Sequence, residues 1–244
     1  MKISTINSIE TSSLCDRKCP YCPAKDQGQH RKTGLMDMDT FDAALVWVRH
    51  FSVKGTQREL NLFGVGEPTL NPLLPEMISK ARAVMPLRLP VHINTNGHWI
   101  DITTTLLTEG ELDYARRLKT AGIDHIDITG HDAFTTAKAI RFFQAVGICG
   151  NLSFDYITQP NNWAGQVDWF KPVYNAGPCP WLGTGLVMVM SHENVTRCGI
   201  DAFGTVILGT VHDQLDTIAA SPFALSEGCY HQVATKRHTA MIRI

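Results

Sequence analysis

The 244-residue sequence lacks the long apolar runs that mark membrane proteins and exported proteins. No stretch approaches the roughly 20 apolar residues that a membrane-spanning helix requires. The first five residues contain no apolar core of the kind found in a secretion signal. We therefore expect no membrane segment and a cytoplasmic protein.

The sequence also has almost no net charge, because 22 lysine and arginine residues balance 23 aspartate and glutamate residues. Such a chain has no global electrostatic field that would draw it to nucleic acid or to a membrane surface. Internal repeats and low-complexity segments are absent as well, which excludes a repeat architecture. Nucleic acid and membranes are accordingly not expected as partners.

Cysteine is too scarce for a disulfide framework, since there are only seven in the chain and their number is odd. Three of them, Cys15, Cys19 and Cys22, nevertheless lie close together with the spacing C-x3-C-x2-C. Thiols at this spacing can reach three corners of one cubane iron–sulfur cluster, whereas a closed cluster uses four thiolates. The fourth iron would then be open to a substrate or a cofactor.

Two other interpretations of this cysteine run are weaker. A zinc site needs a fourth ligand nearby, and the hydrophilic segment after Cys22 offers only His30. Unreactive thiols are the remaining alternative.

Strand-like and helix-like segments alternate along the chain, which predicts a parallel sheet. Apolar spacing i, i+3, i+4, i+7 indicates a helix at 40–51, with Asp39 as its N-cap. Gly122 and Gly147 are expected to end two later helices. The predicted strands are 8–14, 59–63, 90–94, 125–129 and 152–157, and the other predicted helices are 75–85, 111–121 and 133–146.

The last third of the sequence changes character. Residues 159–185 are rich in proline, glycine and asparagine and read as an irregular connection. Beyond them we predict a hairpin of 186–190 with 195–198, and a short helix near 212–219. The predicted fold class is α/β: a partial (β/α)6 TIM-like barrel over residues 1–170, followed by a small hairpin-plus-helix extension over residues 171–244.

Polar and glycine-rich segments follow three of the predicted strands, where ligands of parallel β/α proteins bind. The second strand leads into Gly64-Val65-Gly66-Glu67-Pro68, in which glycine permits close approach of the backbone to a ligand. The third strand ends in Asn94-Thr95-Asn96-Gly97, although Asn-Gly is also a common turn dipeptide.

The fourth strand ends in Thr129, Gly130, His131 and Asp132. His131 and Asp132 could bind substrate or exchange protons, and we predict them as catalytic residues. The alternative for Asp132 is a purely structural N-cap of the next helix. Arg31 and Lys32 are predicted to be solvated charges, and Trp163 is predicted to be a packing residue.

The cysteine spacing, the aromatic Tyr21 just before Cys22, and the Gly64–Pro68 turn resemble the radical S-adenosylmethionine (radical SAM) enzymes. In that family the open iron chelates SAM, and one electron cleaves SAM to methionine and a radical that abstracts hydrogen. The turn resembles the family's GGEP motif, with Val65 as a departure from it. The resemblance implies a 4Fe–4S cluster on the three cysteines and a set of SAM-binding residues: Tyr21, Gly64, Gly66, Glu67, Asn94, Asn96 and Thr129.

A second group of cysteines, Cys179, Cys198 and Cys229, surrounds the predicted hairpin. With the D-x-x-G sequence that begins at Asp201, this group resembles the SPASM and twitch extensions of radical SAM enzymes, which hold an auxiliary 4Fe–4S cluster. Twitch members usually close with C-x2-C, whereas only Cys229 stands here. The fourth ligand could be His231, solvent or substrate. A Cys3His zinc site and unreactive buried thiols stay open as alternatives.

The resemblance implies a radical SAM oxidoreductase, and we predict a two-electron oxidation of a small polar metabolite. The expected partners are a small-molecule or peptide substrate and an electron donor such as flavodoxin or ferredoxin. The auxiliary cluster would accept the second electron. One alternative is a redox-neutral epimerase or isomerase acting on a sugar, peptide or modified nucleotide, and another is a non-catalytic zinc-binding module.

Overall fold

The computed structural model describes residues 3–101, 103–104, 106–131, 133–153, 163, 181, 184–220 and 241–243. The strands are β1 Thr5–Ile9, β2 Leu60–Asn61, β3 Val91–Thr95, β4 His125–Thr129, β5 Cys149–Ser153, β6 Leu186–Val189, β7 Asn194–Thr196, β8 Ile207–Thr210 and β9 Met241–Arg243. The helices are α1 Met38–Val53, α2 Leu74–Val84, α3 Glu109–Ala121, α4 Ala133–Val146 and α5 Leu215–Ala220. Short 3-10 helices occupy Pro23–Lys25, Gln27–Gln29 and Pro68–Leu70.

All these strands form one sheet in the order β8-β7-β6-β1-β2-β3-β4-β5-β9. The six strands from β6 to β5 in this order run parallel, while β7, β8 and β9 pair antiparallel at the two edges. Parallel strands joined by helices give the partial barrel that the sequence predicted. In such a barrel, the C-terminal ends of the strands open at one mouth.

The two faces of the barrel strands differ sharply in polarity. On β3 and β4, Ile93, Ile126 and Ile128 are fully buried in the main core cluster, beside buried residues of the helices. The residues between them, such as the half-buried His92 and the exposed Asn94 on β3, face the inside of the barrel, hereafter the lumen. Strand alternation therefore gives the lumen a polar lining.

Some predicted boundaries agree with the structure, and others differ from it; the predicted strand 152–157, for example, is observed as Cys149–Ser153. Strand β4 and helix α4 have the predicted bounds, and Gly122 ends α3 with a φ of 95°. Helix α1 begins earlier than predicted, because the carboxylate of Asp37, rather than Asp39, accepts the N-cap hydrogen bond from Thr40 N at 2.8 Å. Strand β1 also begins earlier, at Thr5.

The predicted hairpin is present as β6 and β7, which pair Met188 with Thr196 and Val189 with Val195. Strand β6 has a second neighbour that the sequence did not indicate, since it also pairs in parallel with β1. The predicted domain boundary near residue 170 lies outside the described residues and stays a prediction. Among the described helices, none is both long enough and apolar enough to cross a membrane.

Candidate functional site

A cavity of about 340 Å³ lies at the C-terminal ends of the parallel strands. The residues that line it include most of those predicted as site residues: Cys15, Cys19, Tyr21, Cys22, Gly64, Gly66, Glu67, Asn94, Asn96, Thr129 and His131. Four further predicted site residues, Asp132, Cys179, Cys229 and His231, lie outside the described residues. Cys198 is described and buried, and its neighbours Gly199 and Ile200 line the cavity.

The cysteine loop leaves β1 and folds back on itself. Cys22 N donates to Cys19 O at 3.0 Å, and a short helix follows at Pro23–Lys25. Burial raises the pKa of the Cys22 thiol to about 12 and also raises that of Cys15. A thiolate in this place therefore needs a metal to stabilise its charge, which suits cluster ligands better than free reactive thiols.

The alternative of a zinc site with His30 receives no support from the position of that side chain. His30 stacks on the ring of Phe203, with 3.9 Å between the ring centroids. It does not line the cavity that the three cysteines share.

The loop is tied to the end of β3 through Asp16. Its carboxylate accepts a hydrogen bond from Asn96 Nδ2 at 2.8 Å and lies 3.1 Å from His98 Nδ1. Burial alone would raise the pKa of Asp16, but these two partners outweigh burial and hold that pKa below its ordinary value. Asn96 thus positions the cysteine loop as well as lining the cavity.

Glu67 holds two loops together through hydrogen bonds. It is 2% exposed, and its carboxylate accepts hydrogen bonds from Thr69 N, Thr69 Oγ1, Thr95 Oγ1 and Asn96 N at 2.6–3.0 Å. Burial raises the pKa of Glu67, and the hydrogen bonds oppose that rise. The carboxylate therefore joins the Gly64–Pro68 turn to the end of β3.

Gly66 packs directly on the backbone that leads into Cys15. A Cβ atom at this position would lie 2.6 Å from the carbonyl oxygen of Leu14 and would also collide with the carbonyl of Ser12. Glu67 N donates to the same Leu14 oxygen at 2.7 Å. The glycine is required by contact between protein segments, whatever ligand lies nearby.

A buried ion pair beneath the cavity was not predicted. Arg31 forms two hydrogen bonds of 2.8 Å with Glu10, and the two side chains are 8% and 0% exposed. The prediction that Arg31 is a solvated charge is wrong. Its sequence neighbours give no signal, because the partner lies 21 residues away along the chain.

The same pair connects four parts of the molecule. Glu10, just after β1, also accepts hydrogen bonds from Val65 N at 3.0 Å and Ser191 N at 3.1 Å. Arg31 donates to Ala202 O at 2.6 Å. The Glu10–Arg31 pair thus joins the Gly64–Pro68 turn, hereafter the glycine turn, to the end of β6 and to the D-x-x-G segment.

Two tryptophans complete the wall of the cavity. Trp163 lines it and donates from Nε1 to Tyr21 O at 3.2 Å, so its role is wider than the packing role predicted. Trp181 also lines the cavity, and its ring occupies the space that a Cβ on Gly199 would need. Aromatic faces here offer stacking surfaces for a ring-containing ligand.

The segment after Cys198 forms a tight turn that Asp201 organises. Asp201 is 2% exposed, and its carboxylate accepts from Thr205 N at 2.9 Å and Val206 N at 2.7 Å. Gly204 adopts a φ of 67°, which few residues other than glycine tolerate. The D-x-x-G sequence therefore fixes the backbone beside Cys198, which is 7% exposed.

The cavity fits an iron–sulfur cluster and SAM in two respects. Three thiols line its wall, which leaves one iron of a four-iron cluster open to a ligand. The Oδ1 atom of Asn96 is buried and has no hydrogen-bond partner among the described residues. A buried acceptor of this kind is suited to a donor group of a bound ligand.

A family model described as the radical SAM superfamily matches residues 9–142, more than half of the chain. The chain belongs to the radical SAM superfamily. It is therefore a radical SAM enzyme, whose cofactors are a 4Fe–4S cluster and SAM. The matched range includes the cysteine triad and the Gly64–Pro68 turn, so the resemblance predicted from these motifs is confirmed.

Solved structures give a similar fold. The crystal structure of BtrN in complex with AdoMet and 2-DOIA matches with a TM-score of 0.64 and 22% identity, covering 90% of this chain and 83% of BtrN. A crystal structure of selenomethionine BtrN in an open conformation matches with a TM-score of 0.59 and 20% identity, covering 90% and 81%. A search of curated proteins gives no sequence match.

Proposed function

We propose that this radical SAM enzyme is a dehydrogenase that oxidises a small polar metabolite by two electrons. One observation carries the proposal: the cavity is bounded by the cysteine triad on one side and by Gly199 and Ile200, next to Cys198, on another. A substrate held there would lie close to the cysteine triad and to the segment that follows Cys198. The fold shared with BtrN, whose crystal structure contains AdoMet and 2-DOIA, is compatible with this proposal.

The lining of the cavity supports a polar substrate. Amide and hydroxyl side chains reach it from four neighbouring strands or strand ends, namely Asn7, Asn61, Asn94 and Thr129. The hydroxyl of Thr129 lies 3.5 Å from Asn94 Oδ1, so the two groups present one polar edge. Such groups recognise hydroxyl or amino substituents rather than an apolar chain.

Cys15, Cys19 and Cys22 would hold the cluster, and we propose that Tyr21, Gly64, Gly66, Asn94, Asn96 and Thr129 contact SAM. Glu67 acts on SAM indirectly, by holding its two loops together. When bound, the cluster and SAM supply a radical that removes one hydrogen atom from a substrate carbon. The protein orients the substrate and keeps water away from it.

His131 is our proposed proton acceptor, because it lines the cavity and an imidazole exchanges protons near neutral pH. Asp132 is the second proposed catalytic residue. In the oxidation, a CH–OH group loses a hydrogen atom from carbon, a proton from oxygen and one further electron, and becomes a carbonyl group. The proton passes to His131.

We propose that Cys179, Cys198 and Cys229, with His231, solvent or substrate as the fourth ligand, would hold an auxiliary 4Fe–4S cluster, which would supply an acceptor for the remaining electron. The buried Cys198 at the end of the hairpin, followed by the turn of Asp201, supports this site. A small electron carrier such as flavodoxin or ferredoxin would supply the electron that starts the reaction.

The test is an iron count on anaerobically reconstituted protein, with matched cysteine variants. We expect about eight irons per chain, from two four-iron clusters. Cys198→Ser should lower this number to about four while SAM cleavage continues. Cys149→Ser, which changes an exposed cysteine at the opposite end of β5, should change neither quantity.

The mass of the product, compared with that of the substrate, shows which class of reaction has occurred. Incubation with a panel of polyhydroxylated and amino-substituted metabolites should give a product that has lost two hydrogens. A count of about four irons, all lost in the triple Cys15, Cys19, Cys22→Ala variant, would contradict the auxiliary cluster. Combined with a product of unchanged mass, that count would favour the redox-neutral epimerase or isomerase.

A further inference from the structure

Three ionisable side chains meet on the lumen face of β3 and β4, and the proposed function uses none of them. His92 belongs to β3, and His125 and Asp127 belong to β4; their side chains are 17%, 30% and 20% exposed. The inner layers of such barrels are dominated by branched apolar residues. Partly buried charged groups in their place need a partner that compensates for lost solvation.

The protonation of His92 follows from its neighbour Asn61. The amide nitrogen of Asn61 donates to Asn7 O at 3.0 Å, which turns the amide oxygen of Asn61 toward His92 Nδ1, also at 3.0 Å. An oxygen atom only accepts here, so Nδ1 of His92 carries the hydrogen. In the neutral imidazole, Nε2 of His92 then presents a lone pair.

That lone pair lies beside another acceptor atom. Nε2 of His92 lies 3.2 Å from Asp127 Oδ2, yet this buried nitrogen makes no hydrogen bond to any described residue. Two acceptor atoms this close need a positive charge between them, which either a proton on His92 or a bound cation supplies.

His125 approaches the other oxygen of the same carboxylate. Its Nε2 forms a hydrogen bond of 2.9 Å with Asp127 Oδ1 and lies 2.9 Å from the amide nitrogen of Asn151. In the tautomer that carries its hydrogen on Nδ1, Nε2 of His125 offers a lone pair to a metal. The ligand atoms of the three residues all lie within 4.8 Å of one another.

We propose that His92, His125 and Asp127 form a binding site for a divalent first-row transition-metal ion, separate from both cysteine groups. Two imidazoles and one carboxylate are the ligand set of open zinc and non-haem iron sites. Asn61 would act as the outer partner that fixes the orientation of His92. Because Asn61 also lines the cavity, the metal would lie directly beneath its floor.

Zinc is the probe for this site in the reconstituted holoenzyme. The protein is first dialysed against EDTA, and iron is counted to show that the clusters persist. It is then dialysed against micromolar Zn²⁺, and zinc per chain is measured by mass spectrometry. We expect about one zinc per chain, with no change in iron.

Matched variants separate this site from unspecific binding. His92→Gln and Asp127→Asn should lose the zinc and keep their iron. Asn61→Ala should retain zinc but bind it about 10–100-fold more weakly, as is usual for loss of an outer partner. His50→Gln, on the exposed side of α1, should match the wild type.

X-ray absorption at the zinc edge of the wild-type protein identifies the atoms that bind zinc, even if a variant fails to fold. Nitrogen and oxygen ligands at about 2.0–2.1 Å are expected. Sulfur at about 2.3 Å would place the zinc on cysteines and overturn the proposal. A wild-type protein that takes up no zinc would overturn it equally.

Discussion

At the scale of single residues, Glu67 and Gly66 hold the mouth of the barrel in shape. Glu67 has a carboxylate that four protein donors saturate, and Gly66 has no space for a side chain. Both residues were singled out from the sequence as SAM contacts. Their immediate neighbours show that they first serve the fit between loops, on which any SAM site there depends.

Replacing Gly66 by alanine should remove the first cluster. The new Cβ would collide with the backbone at Ser12 and Leu14, so the segment leading to Cys15 must move. We expect a large loss of cluster iron and of SAM cleavage. Gly110→Ala is the control, because nothing lies within 4 Å of a Cβ there. A Gly66→Ala protein with full iron that only binds SAM more weakly would contradict this reasoning.

Replacing Glu67 by glutamine should weaken SAM binding more than cluster binding. The new amide group turns one acceptor into a donor, which leaves a hydrogen-bond donor of Thr95 or Asn96 unpaired. The expected cost is about 1–3 kcal/mol of folding stability. Denaturation and SAM titration measure the two effects, with the exposed Glu76→Gln as control. Equal SAM affinity in both variants would argue against the positioning role.

At the scale of secondary-structure elements, buried ion pairs join segments that are distant in the sequence. The Glu10–Arg31 pair ties β1 to the glycine turn, to the end of β6 and to the D-x-x-G segment. A second pair, Glu111–Lys138 at 2.8 Å, joins α3 to α4. Each pair also accepts or donates backbone hydrogen bonds, so its desolvation is compensated.

Arg31→Met should destabilise the whole molecule. It leaves the Glu10 carboxylate buried without its counter-ion, which costs about 3–5 kcal/mol in comparable cases. Urea unfolding of reconstituted protein measures this loss. Lys32→Met removes an equal charge from the adjacent exposed position and should leave the midpoint nearly unchanged. Similar midpoints for the two variants would show that the ion pair contributes little.

The Glu111–Lys138 pair should make the folding stability depend on pH in the acidic range. Burial alone would raise the pKa of Glu111, but the hydrogen bond from Lys138 and those from Thr108 outweigh burial and lower that pKa. A carboxylate with a lowered pKa stabilises the folded state at neutral pH, and this contribution disappears as the pH falls through the lowered value.

Glu111→Gln should therefore be less stable than the wild type at pH 7, and the difference should shrink toward pH 3. Urea unfolding at several pH values measures the slope, and Glu109→Gln at an exposed position serves as control. A difference that stays constant with pH would contradict the assigned role of the carboxylate.

At the scale of the whole molecule, regular local patterns were predictable and distant contacts were not. The bounds of β4 and α4 follow from apolar spacing and glycine stops, and the cysteine triad follows from three positions in eight residues. The partner of Arg31 could not be predicted, because no local pattern links it to Glu10. Strand β6 was assigned to a hairpin only, since its pairing with β1 depends on tertiary structure.

The sequence itself carries one signal for the cluster of His92, His125 and Asp127, which the sequence analysis did not predict. Central parallel strands are usually continuously hydrophobic, because both faces are covered. The predicted third and fourth strands instead place His92 and Asn94, and His125 and Asp127, at alternate positions. Polar alternation in strands of this kind indicates a polar interior, and thus a place where ligands or ions are held.

The pairing of β1 with β6 also sets the order of events during synthesis. Ser4 bonds to Gly185 across a separation of 181 residues, and Glu10 meets Ser191 across the same distance. At a ribosomal rate of about 5–20 residues per second, β1 waits roughly 10–40 seconds for its neighbour. During this interval the Glu10 centre beneath the cysteine loop is incomplete. We therefore expect the cysteine loop to reach its final packing only after the segment up to Ala202 has been synthesised.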